Sequence, residues 1–326
     1  MFYPLCVCLI LAVMFVVFTL TTLAAVPALK VLAGLTRRIR AGTVANLFFI
    51  FRSLPVIFGI IASIGLALPA FLRFEPHSTS EMPGAALLLL AASGLFIMLV
   101  MAGRCLQILR LTLSIQRRWM KNANPLTVNF KGIPVFCVKD SASLVVVAGI
   151  FVPRIFISQD VADVLNGAEL DAALSHELAH IHTGDNLRQL VLKITRAPKF
   201  WGSVAGIDSL WAIASEIAAD ERAIAQGTSP LELSSALVKV GRLSFQHGPQ
   251  LLAVSHLTDG CSSSTFMRAG RLRDLLERGV SAEQTSWHGH GTYHWLAWVV
   301  IILLVYSFAL GTMLPSVHEA LEFIVH

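Results

Sequence analysis

Residues 2–26 carry no charged side chain, and a bilayer's hydrocarbon core is crossed by about 20 helical residues. Lipid offers no water to satisfy backbone N–H and C=O groups, so a run of this kind has to be helical. Further apolar runs follow at 54–72, 84–103 and 294–314. A chain that is 55% hydrophobic and only 14% charged departs far from an ordinary soluble globule. The expectation is a multi-pass membrane protein. The first run has no basic segment before it and is longer than a signal-peptide core, so it reads as a retained anchor.

The charges between the runs set an expected orientation. Lys30, Arg37, Arg38, Arg40 and Arg52 follow the first run, and Arg104, Arg110, Arg117, Arg118 and Lys121 follow the third. The loop 74–83 instead carries Glu75 and Glu81, and the tail 315–326 carries Glu319 and Glu322 with no lysine or arginine. Basic flanks stay in the cytoplasm. That rule puts both termini outside and the long segment after the third run in the cytoplasm, in a cell membrane that we read as a bacterial inner membrane. The net charge of +5 is thus accounted for beside the spans, and no direct nucleic-acid partner is implied. Cys6, Cys8, Cys105, Cys137 and Cys261 form no C-x-x-C pair, so no disulfide framework is expected.

Residues 122–287 are mixed in composition and have no further uncharged run of membrane length. This is the expected working domain, between a three-span segment at 1–121 and a last span with a short tail at 288–326. β-Branched residues at 133–138, 144–147 and 154–158 read as strands, with Gly149 and Pro153 marking a turn. Asn166 followed by Glu169 reads as an N-cap and its capping-box partner. The helix they open carries Ser175-His176-Glu177-Leu178-Ala179-His180. Positions four apart on a helix lie one above the other, so His176 and His180 can offer two nitrogens to one Zn²⁺. Glu177, one step round, can reach a water at the metal's open position and take its proton. Gly184 reads as the C-cap, and Asp185-Asn186 as the start of a second helix that Pro198 ends.

A catalytic zinc usually takes three protein ligands. Glu216, on a later helix that Gly227 stops, is the expected third, and Asp220 shares its face one turn on. A ligating histidine usually donates its other N–H to such a carboxylate, which gives Asp220 a supporting role. The alternative for the pair is an exposed acidic helix face. His182 is rotated off the histidine face and reads as a surface or supporting residue. Tyr3, Tyr293 and Tyr306 lie in or beside spans, so an oxyanion donor would come from His182, His247, His256 or Arg222, among which the sequence does not choose. The stretch 199–211 is rich in aromatic residues and reads as a packed connector, with a segment in the membrane interface or gating the cleft as the alternative. Residues 230–243 and 266–276 read as further helices. His288, His290 and His294 read as a polar entry to the fourth span rather than as a second metal site.

The residues at 153–158, Glu169 through Ile181, Gly184-Asp185-Asn186-Leu187, and Glu216 with Asp220 together resemble the BlaR/MecR-type membrane metallopeptidases. Three spans before the catalytic domain and one after it match that layout. The resemblance implies a mainly α membrane protein, with four transmembrane helices and a cytoplasmic α+β zincin-like, gluzincin-like domain between the third and fourth. It implies one Zn²⁺ on His176, His180 and Glu216, with Glu177 as base. It implies cleavage of a cytoplasmic protein such as a transcriptional repressor, or of the chain itself; apart from the resemblance, the expected partners are the lipid bilayer and, as an alternative to self-cleavage, a second copy in a homodimer. The family's penicillin-binding sensor has no counterpart after the fourth span, so antibiotic sensing is not implied. Two alternatives remain. One is an HtpX-like quality-control or processing protease, whose relatives generally place spans between the H-E-x-x-H helix and the third ligand, where this chain has Arg188, Lys193, Arg196, Lys199 and Asp208. The other is a non-catalytic transducer stabilised by zinc.

Overall fold

A computed structural model describes residues 2–35, 39–76, 82–139, 145–196, 205–246 and 319. The expected helix at 266–276, the fourth span at 294–314, His247, His256 and the 288–294 histidine run lie outside the described residues.

Helix α1 (Phe2–Leu35), helix α2 (Ala41–Ile60) and helix α4 (Ala85–Asn122) dominate the N-terminal part. A π-helical stretch (Ile61–Ala67) joins α2 to the short α3 (Leu68–Phe74). Pro69 explains the stretch: proline has no N–H to give and its ring crowds the carbonyl four residues back, which a widened turn accommodates. Among the described residues, three helical runs are long and apolar enough to cross a membrane: Phe2–Ala25, Ala41–Phe74 and Ala85–Lys121. The second starts well before the apolar core expected at 54–72, because Ala41 to Arg52 continues the same helix into packing with the remainder of the chain.

Helix α1 lies against α2 and α4. Leu5, Leu9, Ala12 and Val13 are buried with Ala67, Phe71 and Leu87. At Gly94 a Cβ would stand 2.3 Å from the Leu11 carbonyl oxygen, so only glycine allows the α1 and α4 backbones to approach this closely.

Helix α4 has 38 residues, about 57 Å at 1.5 Å per residue, nearly twice the roughly 30 Å of a hydrocarbon core. Its far end packs on a four-stranded sheet formed by β1 (Ala123–Phe130), β2 (Ile133–Val138), β3 (Val145–Ala148) and β4 (Arg154–Ser158). The spatial order is β1-β2-β4-β3, with β2 and β4 parallel and the outer pairs antiparallel. Strand β1 had no expectation from sequence. Side chains alternate between two buried faces. Val138, Ala148 and Phe156 meet Trp119 of α4, whose ring lies 5.1 Å from that of Phe156. Val135, Val147, Ile155 and Ile157 meet Val161, Leu165, Leu174 and Ala236 from helices on the other side. Both faces are covered, which is why these strands read as continuous apolar runs.

The helices on that second face are α5 (Gln159–Val164), α6 (Gly167–Thr183) and α9 (Pro230–Gln246), while α7 (Asp185–Ile194) and α8 (Ala205–Ala225) pack against α6 and α2. Helix α7 stops at Ile194, before Pro198 is reached. The 199–211 stretch is described from Ala205 onward, and there Trp211 and Ile207 are buried against Ala45 and Phe48 of α2.

Candidate metal centre

Helix α6 supplies its own boundaries. The Asn166 side chain accepts from the Glu169 amide at 2.8 Å and the Glu169 carboxylate accepts from the Asn166 amide at 2.9 Å, closing the capping box. Glu169 also accepts from Ser235 at 2.6 Å and from Lys239 at 2.7 Å, which ties α6 to α9. Burial alone would raise the Glu169 carboxyl, but the bonds from Lys239, Ser235 and the Asn166 amide outweigh it and hold the group below its usual range. At the other end Gly184 takes the left-handed conformation, φ 65°, and the chain enters α7 at once.

Within α6, His176 is buried and its Nε2 lies 3.1 Å from that of His180. Their rings meet edge to face. From α8, Glu216 brings Oε2 to 3.5 Å from His176 Nε2 and Oε1 to 3.6 Å from His180 Nε2. All three donor groups have ligand atoms within 4.8 Å of one another. Zinc with ligands at about 2.0–2.2 Å in a tetrahedron has ligand-to-ligand separations of about 3.3–3.6 Å. The two nitrogens, and one Glu216 oxygen beside each of them, stand near that separation, so this donor set fits Zn²⁺ in both chemistry and spacing.

The opposite nitrogens are also engaged. Asp220 Oδ1 stands 3.0 Å from His176 Nδ1, and Asp185 Oδ2 stands 2.8 Å from His180 Nδ1. Both aspartates are buried. A carboxylate at Nδ1 keeps the proton there and leaves Nε2 as the bare donor. The sequence reading placed Asp220 beside the site and missed Asp185. The signal was available: an acid directly after the Gly184 cap is turned back toward the last turn of the helix it follows.

Helices α6 and α8 come close because their contact uses small side chains. Ala172 and Ala223 share a buried cluster with Leu233, and Ala179 and Ala219 are fully buried. Glu177 is half-buried on α6, one residue from His176. Of the expected oxyanion candidates, His182 is exposed. Arg222 faces Asp185 and Arg188 next to α2, where burial, with help from Arg188, lowers its guanidinium below the usual range against the pull of Asp185.

Residues 110–252 match the model of peptidase family M48. The matched stretch begins inside α4 and takes in the sheet, the H-E-x-x-H helix and Glu216, so the end of α4 that covers the sheet lies within the region similar to that family. Peptidases of this family are typically zinc-dependent. No curated protein and no solved structure matches the chain.

Proposed function

We propose that this protein is an integral-membrane zinc metalloendopeptidase, with His176, His180 and Glu216 as ligands and Glu177 as general base. The convergence of Glu216 on the two histidines, inside the stretch that matches a metallopeptidase family, carries this reading. Zinc, when bound, supplies a Lewis acid and lowers the pKa of a water molecule at its open position. The chain's own groups do the remainder. Glu177 accepts a proton from the attacking water and returns it to the departing amine. Asp220 and Asp185 hold the two imidazoles in one tautomer and orientation.

An extended substrate segment pairs best with the outer edge of β3, the last strand in the sheet order, which lies against α6. Asn186 Nδ2 donates to Val147 O at 3.3 Å and to Gly149 O at 2.9 Å, two residues apart and therefore on one edge. Val145 is the described position on that edge whose carbonyl Asn186 does not take.

We further propose a cytoplasmic peptidase domain, both termini outside, and regulatory cleavage of a cytoplasmic protein such as a repressor, with self-cleavage or a homodimer as accompanying arrangements. A second reading is processing or quality control of the HtpX-like kind, since the match is to a metallopeptidase family as a whole and names no substrate. Against that second reading stands the interval before Glu216. Among the described residues it holds the 10-residue α7, with Arg188 and Lys193, and the start of α8, with Asp208.

The test is metal content and casein or self-cleavage of the detergent-purified protein, with Glu177→Gln beside wild type. One zinc per chain is expected in both. Cleavage is expected to fall by about 10²- to 10⁴-fold in Glu177→Gln, the usual worth of a general base. Equal cleavage in the variant would remove Glu177 from the mechanism, and biological output that survives in Glu177→Gln would support a non-catalytic transducer. Cleavage of a soluble regulator in cells favours the first substrate reading; accumulation of damaged membrane proteins in the variant strain favours the second.

A further inference from the structure

Arg52 sits in the candidate span Ala41–Phe74 and is only 3% exposed. A buried guanidinium is costly unless every N–H finds a partner. Its partners lie on two different helices of the metallopeptidase domain. Arg52 Nε donates to Asp208 Oδ1 at 3.1 Å, Nη2 to Thr195 O at 3.1 Å, and Nη1 to Thr195 Oγ1 at 3.4 Å. Thr195 closes α7, and Asp208 lies in the first turn of α8. Arg196 Nε adds a bond to Asp208 Oδ2 at 3.2 Å.

The remote ends of the same helices form the metal centre. Asp185 opens α7 and holds His180, while Glu216 and Asp220 lie farther along α8. One side chain of a membrane helix therefore clasps both helices that bring carboxylates to the site. Helix α2 also keeps contact farther along both helices. Arg188 donates to Asn46 Oδ1 at 2.8 Å and lies 5.5 Å over the Phe49 ring, and a Cβ at Gly42 would stand 3.4 Å from Arg222 Nη2. Burial raises the Asp208 carboxyl above its usual range despite two adjacent guanidinia, which marks the clasp as poorly solvated.

His176 and His180 need nothing from α2, because α6 fixes their spacing. Glu216 does: it must meet them from α8, and α8 is packed between α6 and α2. Metal-to-ligand distances tolerate only about 0.2 Å, so a small slide of α8 along α2 withdraws the carboxylate. We infer that Arg52 is a positioning residue: by clasping Thr195 and Asp208 to α2 it sets where α8 presents Glu216, and it couples the membrane-spanning part of the chain to the metal centre. The inference rests on the metallopeptidase reading.

The experiment uses the full chain in detergent, comparing wild type, Arg52→Lys, Arg52→Met and the double variant Arg52→Met/Asp208→Leu. Replacing both members of a buried pair by apolar residues often leaves stability unharmed, so the double variant separates positioning from folding. The readouts are zinc affinity by chelator competition, the visible spectrum of the Co²⁺-substituted protein, and kcat with KM on casein. Zinc affinity is expected to fall about tenfold in Arg52→Met and in the double variant, within the range usual for residues that support metal ligands. The Co²⁺ bands should shift, and kcat should drop with KM unchanged. Arg52→Lys should recover part of the loss, since an ammonium reaches Asp208 but cannot fork to Thr195 as well. A double variant with wild-type affinity, spectrum and kcat overturns the inference and leaves the peptidase reading intact. Wild-type protein that binds no zinc overturns the peptidase reading first, and this inference with it.

Discussion

Helix α6 carries two of the three proposed ligands on a scaffold it largely supplies itself: an N-cap, a reciprocal capping-box bond, a left-handed glycine at the end, and a four-residue spacing that stacks His176 over His180. Helix α8 carries the third, and its own sequence does not place it. Glu216 arrives at 3.5 and 3.6 Å from the histidines because Ala223 seats α8 on α6 and because Trp211, Ile207 and Asp208 seat it on α2. The difference teaches where such a site is fragile. Local periodicity protects the histidine pair, whereas the carboxylate depends on packing from two directions, one of them a helix long and apolar enough to cross a membrane.

The sharpest way to break the comparison is to pry α8 from α6 without touching a ligand. Ala223 is fully buried between them. Ala223→Leu is expected to cost about 1–3 kcal/mol in stability by overpacking and to weaken zinc binding through Glu216. The same change at exposed Ala225 should do neither. Chemical denaturation and chelator competition measure the two effects. If the Ala223→Leu variant binds zinc as tightly as wild type, α8 has another anchor.

Next in size are the aspartates behind the histidines. Asp185→Asn and Asp220→Asn should each lower zinc affinity by about 10- to 100-fold. The two test different links, since Asp220 shares α8 with Glu216 whereas Asp185 is placed by the Gly184 turn. Asp185→Asn should therefore leave the effect of Ala223→Leu unchanged, and Asp220→Asn should be partly non-additive with it. Zinc titration of the double variants reads this directly.

The smallest effect belongs to the base of α6. The Glu169 carboxyl is held low in the folded state, chiefly by Lys239 and Ser235 acting against burial. A depressed folded pKa contributes stability above the unfolded value of about 4.3, and that contribution is lost as the pH falls through the folded pKa. Lys239→Gln removes one of these bonds and raises the folded pKa toward its ordinary range. The acid limb of the unfolding curve should move to higher pH, with no change near neutrality in zinc affinity, because the contact lies at the far end of α6. Thermal unfolding between about pH 3 and 6 follows this limb.

Much of this architecture is written in local pattern. Uncharged runs announce helices long and apolar enough to cross a membrane, because lipid cannot satisfy an open backbone. Asn166, Glu169 and Gly184 mark α6, because orphan amides and carbonyls at helix ends need partners. Apolar, β-branched runs at 154–158 and 133–138 mark strands, and the H-E-x-x-H spacing marks the histidine pair. Three features were decided only by the tertiary structure. Strand β1 draws its place from pairing with β2 and has no strong pattern of its own. Asp185 becomes part of the centre because a left-handed turn returns it to His180. Arg52 reads in sequence as one more basic residue beside a span, and becomes a clasp because α2 continues past the apolar core to meet α7 and α8. Local sequence dictates which backbone groups and faces must be satisfied, since helix and strand periodicity act within a few residues. Which distant side chain does the satisfying depends on packing between helices far apart in the chain, and for Glu216 and Arg52 only the folded arrangement brings the partners within reach.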